Sequence, residues 1–144
     1  MRKKYGVILA LIGYIVFFFC MEGRGADWKY YIGSEFGEYY YDAESVNRLP
    51  NNMVRVWTEE ISSQKSVADT VRKLGEEYKD LGHINILYEV DCIAKKSRVL
   101  AAVYYSKSNS RISSADSLGG EWKSIVPYSV SEYLLKAVCK QLMK

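Results

Sequence analysis

Serines, carboxylates and tyrosines are plentiful in this chain of 144 residues, but they form no recognisable catalytic motif. His83 is the single histidine, and its surroundings predict an exposed turn residue rather than a general base. No serine stands in a G-x-S-x-G elbow, and Gly119-Gly120 is an isolated pair rather than a phosphate-binding loop. Glu59 and Glu60 are neighbours on a predicted strand, so their carboxylates face opposite ways and do not suit paired-carboxylate hydrolysis. The sequence therefore predicts a protein that is not an enzyme and needs no cofactor.

The cysteines are the other residues with covalent chemistry, and there are three of them: Cys20, Cys92 and Cys139. A single histidine and the lack of C-x-x-C spacing disfavour a metal site and a redox-active pair. In an oxidising compartment, two cysteines commonly pair. If Cys20 leaves with an export signal, the sequence predicts a structural disulfide between Cys92 and Cys139.

Residues 1–25 predict that export. Residues 2–4 are basic, residues 5–21 form an unbroken apolar run, and a polar stretch with small residues follows. This order is typical of a secretory signal peptide. Gly23 and Gly25 stand where a signal peptidase wants small residues, which favours cleavage after Gly25.

Two alternatives for the N-terminus stay open. The apolar run is at the lower edge of the length that spans a bilayer, so it would also serve as an uncleaved anchor. Cys20 would carry a lipid if the segment were a lipoprotein signal, although the bulky Phe19 before it does not fit that pattern. In either case the membrane is reached only through this N-terminal segment.

The same segment holds all of the net charge of +3. Residues 26–144 carry as many acidic as basic side chains, and this balance removes the electrostatic support for nucleic-acid binding. Their length suits one domain with a modest core.

The pattern of apolar residues predicts a mixed fold. Period-two alternation and β-branched or aromatic residues indicate strands at 28–33, 38–42, 53–60, 84–92 and 98–106, with an edge strand at 111–115. Helical spacing indicates a helix near 66–81, with Ser66 as its cap and Gly82 at its end. A second helix begins at the capping box formed by Ser129 and Glu132, and its apolar stripe reaches Leu142. We expect an α+β fold in which an antiparallel sheet of about five or six strands carries the C-terminal helix.

The chain has 13 tyrosines. Neither a catalytic motif nor the pattern of strands and helices explains so many of them. Tyrosine is amphipathic and frequent at binding surfaces. Tyr39, Tyr40 and Tyr41 are consecutive on a predicted strand and must face both ways, so at least one lies on the outer face. We expect Tyr30, Tyr39 and Tyr41 to contribute to a binding surface, with core packing as the alternative role.

Several of these landmarks together resemble the surface-adhesin protein E family. The N-terminal half of the resemblance rests on Trp28-x-Tyr30-Tyr31-Ile32-Gly33, Tyr40-Tyr41-Asp42-Ala43-Glu44-Ser45-Val46 and Val54-Arg55-Val56-Trp57. The C-terminal half rests on Asp91-Cys92, the strand at 98–105, Trp122-Lys123-Ser124-Ile125-Val126-Pro127-Tyr128-Ser129 and the late Cys139.

The resemblance implies an exported bacterial protein with a C-terminal helix packed across an antiparallel sheet and two cysteines at the family's usual positions. The helix near 66–81 is longer than the family pattern suggests, and it is interpreted as an insertion. We expect an adhesin-like domain that binds a protein partner at the envelope, the cell surface or the extracellular matrix. The alternative is a periplasmic accessory or structural protein without adhesion activity.

Overall fold

The computed structural model describes residues 25–116 and 119–140. The predicted signal segment lies outside the described residues apart from Gly25, and so do Cys20, Leu142 and the middle of the loop after residue 116. No helix within the described ranges is long and apolar enough to cross a membrane.

Eight strands of the described chain form one antiparallel sheet, and six of them follow the order β1-β2-β4-β5-β6-β7. The strands are β1 (Trp28–Ser34), β2 (Gly37–Asp42), β3 (Asn47–Leu49), β4 (Met53–Ser62), β5 (Leu81–Asp91), β6 (Lys96–Ser106), β7 (Arg111–Ala115) and β8 (Lys123–Ser124). The short strands β3 and β8 pair with β4 and β6, respectively. The predicted α+β class and the antiparallel sheet are confirmed, while β3 and β8 are too short for a periodic pattern to reveal them.

Among the described residues, two α-helices accompany the sheet, α1 (Gln64–Leu74) and α2 (Val130–Cys139). The core lies between α2 and one face of the sheet, which we call the helix-covered face; the opposite side is the outer face. Its fully buried members are Val54, Val56, Val90 and Cys92 from the sheet and Leu134, Leu135, Val138 and Cys139 from α2. Burying each large aliphatic side chain stabilises the fold by about 1.5 to 3 kcal/mol, so this contact fixes the position of α2.

The helix α1 is shorter than the predicted helix near 66–81. Ser63 is its N-cap rather than Ser66, and the Ser63 Oγ accepts a hydrogen bond from the Ser66 N–H at 3.2 Å. The helix ends at Gly75, whose φ of +127° is a conformation that side chains other than glycine rarely adopt.

A short 3₁₀ helix, Glu76–Tyr78, follows, so Tyr78 does not belong to the apolar stripe of α1. Its buried ring meets the Tyr104 ring edge-on at 5.2 Å. Gly82, which the sequence placed at a helix end, lies within β5. After Gly75 the chain therefore does not continue as the helix that the spacing of its apolar residues predicted, and Tyr78 packs against Tyr104 instead.

The strand β6 contains a bulge that the sequence pattern did not reveal. Tyr88 pairs with Val99 and the preceding Leu87 pairs with Ala101, so Leu100 is the extra residue. Regular alternation along the predicted strand at 98–106 would put Val99 and Ala101 on one face, but the bulge turns them to opposite faces. Ala101 and Ala102 are both buried.

The first turn of α2 carries the predicted capping box. The Ser129 Oγ accepts a hydrogen bond from the Glu132 N–H at 3.3 Å. The Glu132 carboxylate accepts one from the Tyr128 N–H at 2.8 Å, one residue earlier than in the standard box.

The Ser129→Ala variant should lower the free energy of unfolding by about 1 kcal/mol, because the Glu132 N–H loses its side-chain acceptor. Urea denaturation measures this change. Ser131→Ala removes a hydroxyl from the same turn without touching the cap, and it should change stability by less than about 0.5 kcal/mol. Equal effects of the two variants would contradict the capping role of Ser129.

Candidate binding site

The three tyrosines predicted to form a binding surface do not share one face of the sheet. Tyr30 is 59% exposed, and its ring meets the Tyr40 ring edge-on at 5.6 Å. Tyr41 packs against the core beneath α2. Tyr39 lies two residues before Tyr41 on the same helix-covered face and contacts the Tyr31 ring at 6.2 Å.

A cleft of about 250 Å³ lies between the β1–β2 hairpin and one side of α2. It brings Tyr30 and Tyr41 together, whereas Tyr39 is not among its lining residues. We call it the tyrosine cleft; four tyrosines and two lysines line it: Tyr30, Tyr31, Tyr41, Tyr133, Lys136 and Lys140. The α2 residues that line the cleft are about one helical turn apart, so their side chains lie on one side of the helix.

The tyrosine cleft combines aromatic rings, hydroxyl groups and positive charge. The Lys136 Nζ lies 5.4 Å from the centre of the Tyr133 ring and 3.3 Å from a Glu132 carboxylate oxygen. Lys140 is exposed at the mouth. Burial raises the pKa of the Tyr31 hydroxyl, which therefore remains a protonated hydrogen-bond donor at neutral pH. Such a surface can contact apolar side chains and hydrogen-bond to carbonyl or carboxylate groups.

A second polar centre lies on the other side of the sheet, around the buried carboxylate of Glu89. Arg55 Nη2 lies 2.7 Å from one carboxylate oxygen, and Arg98 Nη2 lies 2.7 Å from the other. The Arg98 guanidinium also stacks 4.6 Å from the Trp122 ring centre. Because two arginines satisfy the carboxylate, this centre is a closed ion-pair network rather than a free acid or base.

His83 is not the exposed turn residue that the sequence predicted. It lies within β5, where its ring stacks on Tyr105 at 4.7 Å and its Nε2 is 3.9 Å from a Glu59 carboxylate oxygen. Over residues 25–116 and 119–140, no group of three or more His, Cys, Asp or Glu side chains is placed to hold a metal ion. The described geometry assembles aromatic and charged contacts, and the tyrosine cleft is the candidate site.

The Cys92 and Cys139 side chains form a disulfide, with Cα atoms 5.7 Å apart. The bond joins the residue that follows β5 to the last residue of α2. It therefore helps to hold the helix that forms one wall of the tyrosine cleft.

Similar structures have been solved. Haemophilus influenzae protein E superposes with a TM-score of 0.53 at 12% identity, covering 81% of this chain and 89% of that chain. Its selenomethionine form gives a TM-score of 0.53 at 13% identity, with 81% and 91% coverage. Protein E from non-typeable Haemophilus influenzae gives 0.53 at 12% identity, with 83% and 79% coverage. At these identities the likeness shows the fold alone.

Sequence comparison gives the family. No curated protein matches the chain. The sequence model described as surface-adhesin protein E matches residues 28–140, a span that runs from the first residue of β1 past the end of α2. The chain therefore belongs to the surface-adhesin protein E family.

Proposed function

We propose that this protein is an exported, cell-surface, adhesin-like domain without enzymatic activity, and that it binds a protein partner through the tyrosine cleft. The family supports an adhesin-like role. The observation that carries the proposal is the gathering of four tyrosines and two lysines in one cleft between β1–β2 and α2.

The dimensions of the cleft favour side chains of a large partner over a free small molecule. At about 250 Å³ it is smaller than the typical drug-sized pocket of roughly 300 to 1,000 Å³. Tyr30, one of its lining residues, has 59% of its surface exposed. Tyrosine offers a large contact area at low conformational-entropy cost, a property that makes it frequent in binding surfaces.

The Tyr30→Ala variant should weaken partner binding about tenfold or more, because truncating an aromatic hot-spot residue commonly costs more than about 1.4 kcal/mol. The measurement is biolayer interferometry of the purified protein against a panel of extracellular-matrix proteins and solubilised envelope proteins. Thermal unfolding of both proteins checks that the fold is intact.

Tyr128→Ala is the matched control. Tyr128 is 89% exposed and lies outside the cleft, so its removal should leave the affinity unchanged. If no member of the panel binds the unmodified protein, the adhesin proposal fails. If both variants weaken binding equally, the tyrosine cleft is not the site. A wholly soluble periplasmic pool on cell fractionation would contradict the surface location.

A further inference from the structure

A second carboxylate on the sheet, that of Glu60, has surroundings unlike those of Glu89. Glu60 lies on β4 with its backbone directly opposite Tyr39 of β2 and Ile84 of β5. Its Oε1 accepts a hydrogen bond from the Ser66 Oγ of α1 at 2.5 Å. Glu60 therefore sits between the first turn of α1 and the central strands.

Four tyrosines from four strands lie on the same face of the sheet as this carboxylate. Besides burial, which is the main cause, the negative charge of Glu60 raises the pKa of four hydroxyl groups; they belong to Tyr31, Tyr39, Tyr88 and Tyr104. The pKa of Tyr88 rises to about 12. These hydroxyls lie near enough to Glu60 to feel its charge, although their backbones are on β1, β2, β5 and β6.

Ring contacts define the walls of this site. The Tyr31 and Tyr39 ring centres lie 6.2 Å apart, and Tyr104 is supported from behind by Tyr78 at 5.2 Å. Tyr31 and Tyr88 also pack against the core under α2, which fixes their positions. The four rings and the carboxylate thus form a polar, aromatic-walled site between α1 and α2, which we call the Glu60 site.

The Glu60 site lacks a positive partner within the part of the chain that the structure describes. The groups that hydrogen-bond to the carboxylate are the hydroxyls of Ser66 and Tyr39, and burial raises its pKa. No ion pair of the described residues includes Glu60. A partly buried carboxylate without a cation costs stability, and the fold tolerates this cost here although it supplies two arginines to Glu89.

The Glu60 site is not sealed from solvent. Glu60, Tyr39 and Tyr104 each keep part of their surface exposed.

We propose that the Glu60 site binds an alkylammonium group, such as the side-chain ammonium of a lysine on a partner protein. A carboxylate supplies charge, and the faces and edges of neutral tyrosine rings supply cation–π and polar contacts. A compact ammonium suits these walls better than a planar guanidinium, which prefers bidentate pairing with a carboxylate whose second oxygen is free. Hard metal ions are poorly served, because they need several oxygen ligands of high charge. The lysine source rests on the proposed adhesin function, whereas ammonium binding itself does not.

The test is an NMR titration of the full-length protein purified from the cell envelope, with butylammonium chloride as the probe and sodium chloride at equal ionic strength as the reference. Butylammonium should shift signals from the four tyrosines, with an affinity in the range of about 1 mM. Sodium should not. If butylammonium gives no shift beyond that of sodium, the proposal is overturned.

Glu60→Gln and Glu59→Gln form the matched pair of variants, because the two carboxylates are adjacent and face opposite sides of the sheet. Glu60→Gln should weaken butylammonium binding at least tenfold, and Glu59→Gln should leave it unchanged. Ser66→Ala removes the structural hydrogen bond while keeping the charge, so it should preserve binding. Equal binding by wild type and Glu60→Gln, or loss of binding in Ser66→Ala with the fold intact, would overturn the site.

Two further probes separate the sources of the ammonium. A short glycine peptide with one central lysine tests a protein source, and the same peptide with norleucine removes the charge. Tighter binding of the lysine peptide than of butylammonium supports a partner protein, whereas equal binding supports the ammonium site alone. If butylammonium binds but no protein of the panel does, the adhesin function is overturned and the Glu60 site is not. If a protein of the panel binds but butylammonium does not, the Glu60 site is overturned and the adhesin function is not.

Discussion

Replacing both Cys92 and Cys139 with alanine is expected to lower the free energy of unfolding by about 4 kcal/mol. The disulfide joins residues 47 positions apart, and losing it frees that loop in the unfolded chain. Both side chains are also almost wholly buried, at 1% and 0% exposed, so alanine leaves small cavities. Urea denaturation of the oxidised wild type and the double variant measures the difference.

The loss should fall most heavily on α2. This helix has 10 residues, and isolated helices shorter than about 12 residues are marginal in water. Reduction of the wild type should reproduce most of the loss, while reductant should leave the double variant unchanged. Because α2 forms one wall of the tyrosine cleft, partner binding should weaken as well. A loss below about 1 kcal/mol would show that packing of Leu134 and Val138 holds the helix without the bond.

Local signals in the sequence were enough to predict most of the sheet and the start of α2. The alternating residues of β4 and β5 show directly which side chains are buried, because their partners lie on both sides and the register has no slip between them. The cap at Ser129 is equally local, since its hydrogen-bond partner is three residues away.

The features that the sequence did not reveal depend on distant contacts. The bulge at Leu100 shifts the pairing of β6 without any glycine or proline to mark it. His83 is drawn into β5 by pairing with Tyr105 across the sheet. Tyr39 was expected on a surface with Tyr30, but Tyr30 pairs with Tyr40 across the two strands, and Tyr39 therefore faces the opposite side. Periodicity places a residue on a face, and it does not say which residues of other strands lie beside it.

The carboxylates of Glu60 and Glu89 illustrate the same limit more sharply. Glu60 and Glu89 both lie on strands, and nothing in their local sequence distinguishes them. Residues on other elements of the fold decide that Glu89 receives Arg55 and Arg98, whereas Glu60 receives the hydroxyls of Tyr39 and Ser66. Their electrostatic roles therefore become visible only in the folded chain.

Glu89→Gln is expected to lower the free energy of unfolding by about 2 to 3 kcal/mol at pH 7. The substitution leaves two guanidinium groups facing a neutral amide, and breaking one side of a buried ion pair commonly costs about 3 to 5 kcal/mol. The arginine side chains are 42% and 30% exposed, so water recovers part of that cost. Urea denaturation gives the difference. Glu35→Gln removes an exposed carboxylate paired with Lys65 at 2.5 Å, and it should cost less than about 1 kcal/mol.

The pH dependence of this difference identifies its cause. Burial alone would raise the pKa of Glu89, but hydrogen bonds and charge from Arg55 and Arg98 outweigh burial and lower the pKa below its ordinary value of 4.5. A carboxyl group whose pKa is lower in the folded than in the unfolded state stabilises the fold at pH values above its unfolded-state pKa. That stability is lost as the pH falls through its folded-state pKa. The gap between wild type and Glu89→Gln should therefore stay constant from pH 7 to about pH 5 and close below pH 4.5. A gap that persists in acid would show that side-chain shape, and not the charge of Glu89, holds Arg55 and Arg98 in place.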